Sequence, residues 1–543
     1  MKKKFSGIIA LLLFASTIGA IAQDEQNKPR EASTEPLELP NFIIRGIEQL
    51  NVRSGIKQFP GKPAALTAGQ LDSLNTLEKQ QPALMPAPEE PDQILSPNFR
   101  QTYVEAGFGR FMTGHIGGAF EADYAGYDFH FRGDLEHSDG HIEGARYDRA
   151  MIDLSAVYVA PDKYWIFGGS MTRTRAKFNN RNFDMYASPA VEQRNITDFD
   201  ISVDVEGSYQ GFGFDLGGGF ESTRMSTIGD ISTENSINGY ISVENLWRKF
   251  YIGGGAKLDI RSLDGQWTPD GGAMTNFAQI EGYAAYTIDK TTFRGRAGFQ
   301  FANNSADVSR AGLLLDAGVE YRMNKFFTLE AGACSGLENN SFSEILKYNP
   351  YLSDSAFFDY KYNIVRARGA MKYHPDDDFG FSMGTKLGAE DRIPVMAMAD
   401  TGFFAINYMK GYIAGIFAEL FWSAGPEDDI SALLELNYAR SDAGSKSIPY
   451  VAPIEFSIIY GHQWAEYFGT DFGINYTGER YADIENKEVL TGYVNVTARA
   501  RFEILKEFTA ILNFENLTNS DIFIWQGYKQ RGLFVSLNLM WHL

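Results

Sequence analysis

The sequence holds little of what usually fixes a chain or places it in a compartment. Cys334 is its single cysteine, so no intramolecular disulfide can form and no thiolate metal cluster can be built. After the first 22 residues no apolar run reaches 18, which excludes a later membrane-spanning helix. Positive charge is short: 49 Lys and Arg stand against 69 Asp and Glu, a formal charge of −20. A surface so acidic repels phosphate backbones and excludes a nucleic-acid partner. Proline is scarce after residue 97. Before it, Pro60, Pro63, Pro82, Pro86, Pro88, Pro91 and Pro97 crowd one stretch.

What is present is aromatic and glycine-rich: 14% Phe, Trp and Tyr, with 54 glycines. Residues 1–22 read as a secretory signal. Lys2, Lys3 and Lys4 form its basic end, Ile8 to Ile18 its apolar run, and Ala20-Ile21-Ala22 its cleavage site. Removal of three lysines and no acid takes the formal charge from −20 to −23. Residues 23–97 form a proline-rich periplasmic segment. One short helix is expected there, with Thr67 as N-cap, Gln70 closing a capping box, and Leu71, Leu74 and Leu77 on one face.

From residue 98 to 543 one pattern repeats. Stretches of about ten alternating residues are separated by turn signals. Between Tyr493 and Ile504, residues Asn495, Thr497, Arg499 and Arg501 share one face and Val496, Ala498, Ala500 and Phe502 the other. Asp128, Asp134 and Glu136 oppose Phe129, Phe131 and Leu135, and Asp200, Asp204 and Glu206 oppose Ile201, Val203 and Val205. Side chains alternate across a strand, so each segment has one charged and one apolar face. A charged face suits a wet lumen and an apolar one suits lipid. Short turns such as Gln210-Gly211 and Asp289-Lys290 alternate with longer stretches, placed at about 178–197, 223–236, 263–274, 338–358, 391–407, 440–453, 477–490 and 516–531. The expectation is an all-β, antiparallel transmembrane barrel of about 22 strands, with short periplasmic turns and long extracellular loops.

The lumen face collects the charges that transport would use. Asp128, Asp134, Glu136, Asp200, Asp204 and Glu206 lie in the first half, and Arg294, Arg296, Arg366, Arg368, Arg499 and Arg501 in the second. Opposed charges across a pore tune selectivity; the same charges also suit a salt-bridge network in the wall. Arg173, Arg175 and Lys177 are read as continuing one face outward, toward lipopolysaccharide phosphates or a solute. His137-Ser138-Asp139-Gly140-His141 holds a nucleophile, a base and an acid, but sequence adjacency is not triad geometry, and a solvated loop is expected. Asp376-Asp377-Asp378 lacks the spacing of a calcium loop. No catalytic residue, cofactor or metal site is expected.

The stretch Asn516-Leu517-Thr518-Asn519, with Gly527-Tyr528 and Arg531-Gly532 before the last strand, resembles the end of TonB-dependent receptor barrels. Leu39, Pro40, Phe42, Ile43, Ile44, Arg45 and Gly46 resemble the coupling box of that family. The resemblance implies a 22-stranded barrel that imports a solute and engages a periplasmic or inner-membrane energy-coupling partner. It also implies a plug domain of well over a hundred residues, yet only about fifty separate Gly46 from the first strand. The amphipathic last strand, Leu533 to Leu543, resembles the signal read by barrel-assembly machinery. Outer-membrane lipid and lipopolysaccharide are the surrounding partners expected. Uptake of a solute across the outer membrane is the leading expectation. The alternative is a non-transporting structural or assembly barrel whose N-terminal segment binds a periplasmic partner.

Overall fold

The computed structural model describes residues 102–543, apart from 125, 189–191, 228–229, 266–271, 355–356 and 400–401. The signal, the segment 23–97 with its helix, and the box at Leu39–Gly46 lie outside the described residues. Among those described there is a barrel and no plug.

Consecutive hairpins build the barrel. Its strands are β1 (Tyr103–Gly109), β2 (Thr113–Tyr124), β3 (Tyr127–Ser138), β4 (Tyr147–Val159), β5 (Met171–Met185), β6 (Glu192–Tyr209), β7 (Phe212–Thr227) and β8 (Asp230–Trp247). They continue with β9 (Phe250–Asp264), β10 (Ala273–Ile288), β11 (Thr291–Asn303), β12 (Ser309–Arg322), β13 (Phe327–Glu338), β14 (Lys361–Asp376) and β15 (Phe379–Met398). The last are β16 (Phe404–Ser423), β17 (Asp428–Ser441), β18 (Ile454–Ala465), β19 (Phe468–Thr477), β20 (Tyr493–Leu505), β21 (Phe508–Glu515) and β22 (Phe534–His542). All 22 belong to one antiparallel sheet. It closes where β1 pairs with β22, from Tyr103 against His542 to Gly109 against Ser536. Closure leaves no edge, so every strand finds backbone partners without water, as a bilayer demands.

The outer wall is apolar and exposed. Ile237 is 64% exposed, Ile280 62% and Phe299 68%. In water such a surface would be a liability; against lipid it is the stable arrangement. Leu537, Leu539, Trp541 and Leu543 lie on this outer face, as their spacing predicts. A ring of aromatics marks the rim that carries the start of β1, the end of β22 and the short turns. Trp165, Trp247, Trp422, Trp464 and Trp541 are all exposed there, and Phe250 stacks on Tyr286 and Phe327 on Tyr373. Amphipathic rings settle at the membrane–water interface. This rim is the periplasmic one.

The opposite, extracellular rim differs from expectation in one respect. The stretches 178–197, 223–236 and 391–407 are mostly strand: β5 runs to Met185, β6 starts at Glu192, β7 runs to Thr227 and β8 starts at Asp230. The ladder continues above the lipid, and polar residues that read as loop lie on its outer face. Among the described residues, long excursions run over 339–360, 442–453, 478–492 and 516–533. The first holds a helix, α1 (Phe342–Tyr348), opened by a capping box in which Ser341 and Glu344 bond each other's backbone N–H.

Candidate functional site

The site follows from a change of face within the strands. On β5 the inward positions Arg173, Arg175 and Lys177 are charged; the same parity reaches Met185 at the top, which is fully buried. On β6 the inward row runs from Glu206 up to Ile196, on β7 from Glu221 to Met225, and on β9 from Lys257 to Leu263. The outward row changes the opposite way, from Phe178 to Asn180 and Asn182 on β5. Inside the membrane the barrel is polar within and apolar without. Above the membrane it is a water-soluble protein with an apolar centre.

That centre is filled. Met185, Ile196, Met225 and Leu263 pack with Phe342, Ile345 and Leu346 of α1, with Leu352 and Phe358 after it, and with Met396 and Phe404 at the tops of β15 and β16. Tyr450, Ala482, Leu490, Trp525 and Tyr528 complete the same cluster from the other excursions. β5 and β15 are ten strands apart in a sheet of 22, so one apolar core joins opposite walls across the mouth. Polar contacts fasten it. Arg194 of β6, wholly buried, donates to the Pro350 and Leu352 carbonyls at 3.0 and 2.5 Å and pairs with Asp354 at 3.1 Å. The Tyr528 hydroxyl donates to the Gly402 carbonyl at 2.9 Å. The Tyr186 hydroxyl and His141 Nε2 both donate to the Lys529 carbonyl, at 2.6 and 2.8 Å. Burial pushes the Asp354 carboxyl up, against the pull of Arg194. Burial drives the His141 imidazole down and the Tyr351 phenol up to about 12. The lid is therefore a desolvated layer with an apolar centre.

Beneath it lies a pocket of about 550 Å³, lined among others by His115, Asp134, Arg149, Arg181, Tyr351 and Arg499. Of the lumen charges named from the sequence, Asp134, Glu136 and Arg499 line this pocket, and the partners of the set are neighbours along the wall. His115 Nε2 lies 2.6 Å from Asp134, His130 3.4 Å from Asp128, and Tyr147 donates to Glu136. Tyr240 donates to Asp204 at 2.9 Å, Glu206 pairs with Arg173 at 3.3 Å, and Asp200 sits opposite Lys177 in register. Arg296 lies 3.8 Å from Glu281, and Arg366 lies 3.3 Å from both Glu338 and Glu390. Arg368 covers the Phe417 ring at 4.6 Å, and Arg294 stands against Gly318. Arg499 donates to Asn513 at 2.9 Å and Arg501 to Gln463 at 3.2 Å.

Two expectations are corrected. Arg173, Arg175 and Lys177 do not reach the cell surface. β5 starts at the periplasmic rim, so they sit low on the inner wall, with Arg175 paired to Asp153 at 2.5 Å. The His137–His141 stretch is not a merely solvated loop. Ser138 is buried and accepts from Thr113 at 3.0 Å, while His137 turns away to Asp148 at 2.5 Å, so no triad forms and His141 tethers the lid. The lid residues themselves went unrecognised in the sequence. Their signal is the apolar residue at lumen parity near a strand's upper end, together with Ser341-x-x-Glu344.

The closed sheet, the lipid-facing wall and the aromatic rim define an integral outer-membrane β-barrel. No protein-family model matches the chain, and no curated protein matches it in sequence. Solved structures do match in shape. The ferric-catecholate import receptor Fiu of Escherichia coli K12, in its closed form, superposes with a TM-score of 0.64 at 10% identity, covering 82% of each chain. An FrpB iron transporter of Neisseria meningitidis gives 0.66 at 9%, again over 82% of each chain. The copper transporter OprC gives 0.62 at 10%, over 82% of this chain and 80% of its own. At such identity the likeness is one of fold: the described residues share the barrel fold of these import receptors and transporters.

Proposed function

We propose that the chain takes up a solute across the outer membrane through its lumen, with the loop lid as the outer gate. A single apolar core that joins opposite walls over a polar, pocketed interior supports this reading. A static structural barrel has no need of a lumen that is sealed at one end and wet below. The fold is shared with barrels described as import receptors and metal transporters, which supports a transport role over an enzymatic one. The mixed lining of carboxylates and guanidinium groups suits a polar solute. Residues 23–97, with Leu39–Gly46, are the segment through which a periplasmic energy-coupling partner would act.

Planar-bilayer conductance tests the proposal. Full-length protein should be silent, and replacement of 342–348 by a short Gly/Ser linker should give a conducting barrel. Large stable conductance in the full-length protein would sink a gated receptor. The local pairing of the lumen charges favours the alternative, a non-transporting barrel with a braced wall. Silence after loss of both the lid helix and residues 23–97 would select it.

A further inference from the structure

On the inner wall of β1–β3 one group of side chains is arranged for more than wall bracing. Glu105, Gly117 and Asp134 lie in one row across the three strands. His115 stands two residues from Gly117 on the same face of β2, so its ring falls between the two carboxylates. His115 Nε2 is 2.6 Å from Asp134 Oδ2 and 3.7 Å from Glu105 Oε1. One donor atom from each residue lies within 4.8 Å of the others. The three side chains are 13–19% exposed, and His115 and Asp134 line the lumen pocket.

Gly117 makes the arrangement possible. A Cβ there would stand 3.2 Å from Glu105 Oε1, 3.3 Å from Asp134 Oδ2 and 3.3 Å from the His115 ring. The glycine keeps open the space on which the three donors converge. The ring's other nitrogen, Nδ1, is buried and has no hydrogen-bond partner among the described residues. Hydrogen bonding alone does not explain the placement of this ring.

We propose that Glu105, His115 and Asp134 form a binding site for a first-row divalent transition-metal ion on the lumen wall. Metal–nitrogen and metal–oxygen bonds of about 2.0–2.2 Å put ligand atoms ~3–3.5 Å apart around one ion, close to the spacing already present. Two carboxylates and one imidazole suit iron(II), cobalt(II), manganese(II) or zinc, whereas magnesium and calcium favour oxygen alone. Binding replaces the Nε2–H···Asp134 bond, so the ion competes with a proton. Arg132, Arg149 and Arg499 face the same space, as does Glu136. The three cations weaken the site, which makes its ion exchangeable. This inference stands apart from the lid: a wall site could serve a transported ion or a static barrel.

The test is a cobalt(II) titration of untagged full-length protein in detergent, stripped first with EDTA and followed by calorimetry and visible absorption. One equivalent should bind with a ligand-field band. His115→Gln and Glu105→Gln should each weaken binding by about tenfold or more, while His130→Gln, on the neighbouring Glu121–Asp128 pair, should leave it unchanged. Heat-modifiable gel mobility identifies variants that keep the barrel. Gly117→Ala, which fills the converging space, should weaken binding in a barrel otherwise intact. Equal cobalt binding by wild type, His115→Gln and Glu105→Gln, or none by wild type, would overturn the assignment.

Discussion

At the scale of single residues, the energetics concentrate where charge is buried in the lid. Arg194 is fully covered and serves two carbonyls, Thr227 and Asp354. Its replacement by Met removes the cation and strands these acceptors in a dry layer. Loss of one partner of a buried pair costs about 3–5 kcal/mol. Arg194→Met should therefore free the 339–360 excursion while the barrel below persists, seen as new protease cleavage in that excursion with unchanged heat-modifiable mobility. His141 predicts a pH response. Burial holds its folded pKa below the ordinary value of about 6.5. The unfastened residue therefore takes up a proton more readily than the docked one. The contribution of His141 is complete above about pH 6.5 and is lost as the pH falls through its depressed folded pKa. Cleavage of the 516–533 excursion should rise on mild acidification, and His141→Gln should flatten that rise. An unchanged pH profile in His141→Gln would place the sensitivity elsewhere.

At the scale of elements, alternation and its inversion decide what each strand does. The lumen and lipid faces of β3, β6 and β20 were legible in the sequence because a period of two shows directly which residues share a side. The tops of β5–β8 were misread as loops. Their outward residues turn polar where the wall meets water, and polar clusters resemble turns. α1 was missed for a related reason: seven residues are too short for a visible helical period, and only its capping box marks it. The helix buries Phe342, Ile345 and Leu346 in the lid and leaves Lys347 to pair with Glu221 on the wall below. Leu346→Asp should force an unpaired charge into the lid core. Its expected result is a barrel that assembles but conducts intermittently in a planar bilayer; a silent variant would show that α1 is not part of the seal.

At the scale of the whole molecule, one pairing turns a sheet into a membrane protein. β1 meets β22 along seven residues of β1, and without that seam both strands would expose unpaired backbone to lipid, at several kcal/mol per group. Truncation after residue 533 should abolish heat-modifiable mobility and membrane insertion, even though every other hairpin remains. The Asn516–Asn519 turn contributes to the same seam. Asn516, with φ at +46°, bonds the Ser520 and Arg531 carbonyls, and Arg531 pairs with Glu515 through two bonds of 2.9 and 3.0 Å. The motif that resembles the receptor family is thus a turn that delivers β22 to its place.

The strand count, the barrel class and the apolar lipid face were legible in the sequence alone. They depend on local periodicity and on turns, which neighbouring residues specify. The lid, the wall pairing of the lumen charges and the meeting of Glu105, His115 and Asp134 were decided only by the tertiary structure. Each joins residues from separate strands whose proximity depends on register and on barrel closure. Met185 and Trp525 are hundreds of residues apart, and no local pattern records that they share one core. Closure of a 22-stranded sheet brings opposite walls of the extracellular rim within reach, and the apolar residues there then have one another to bury against.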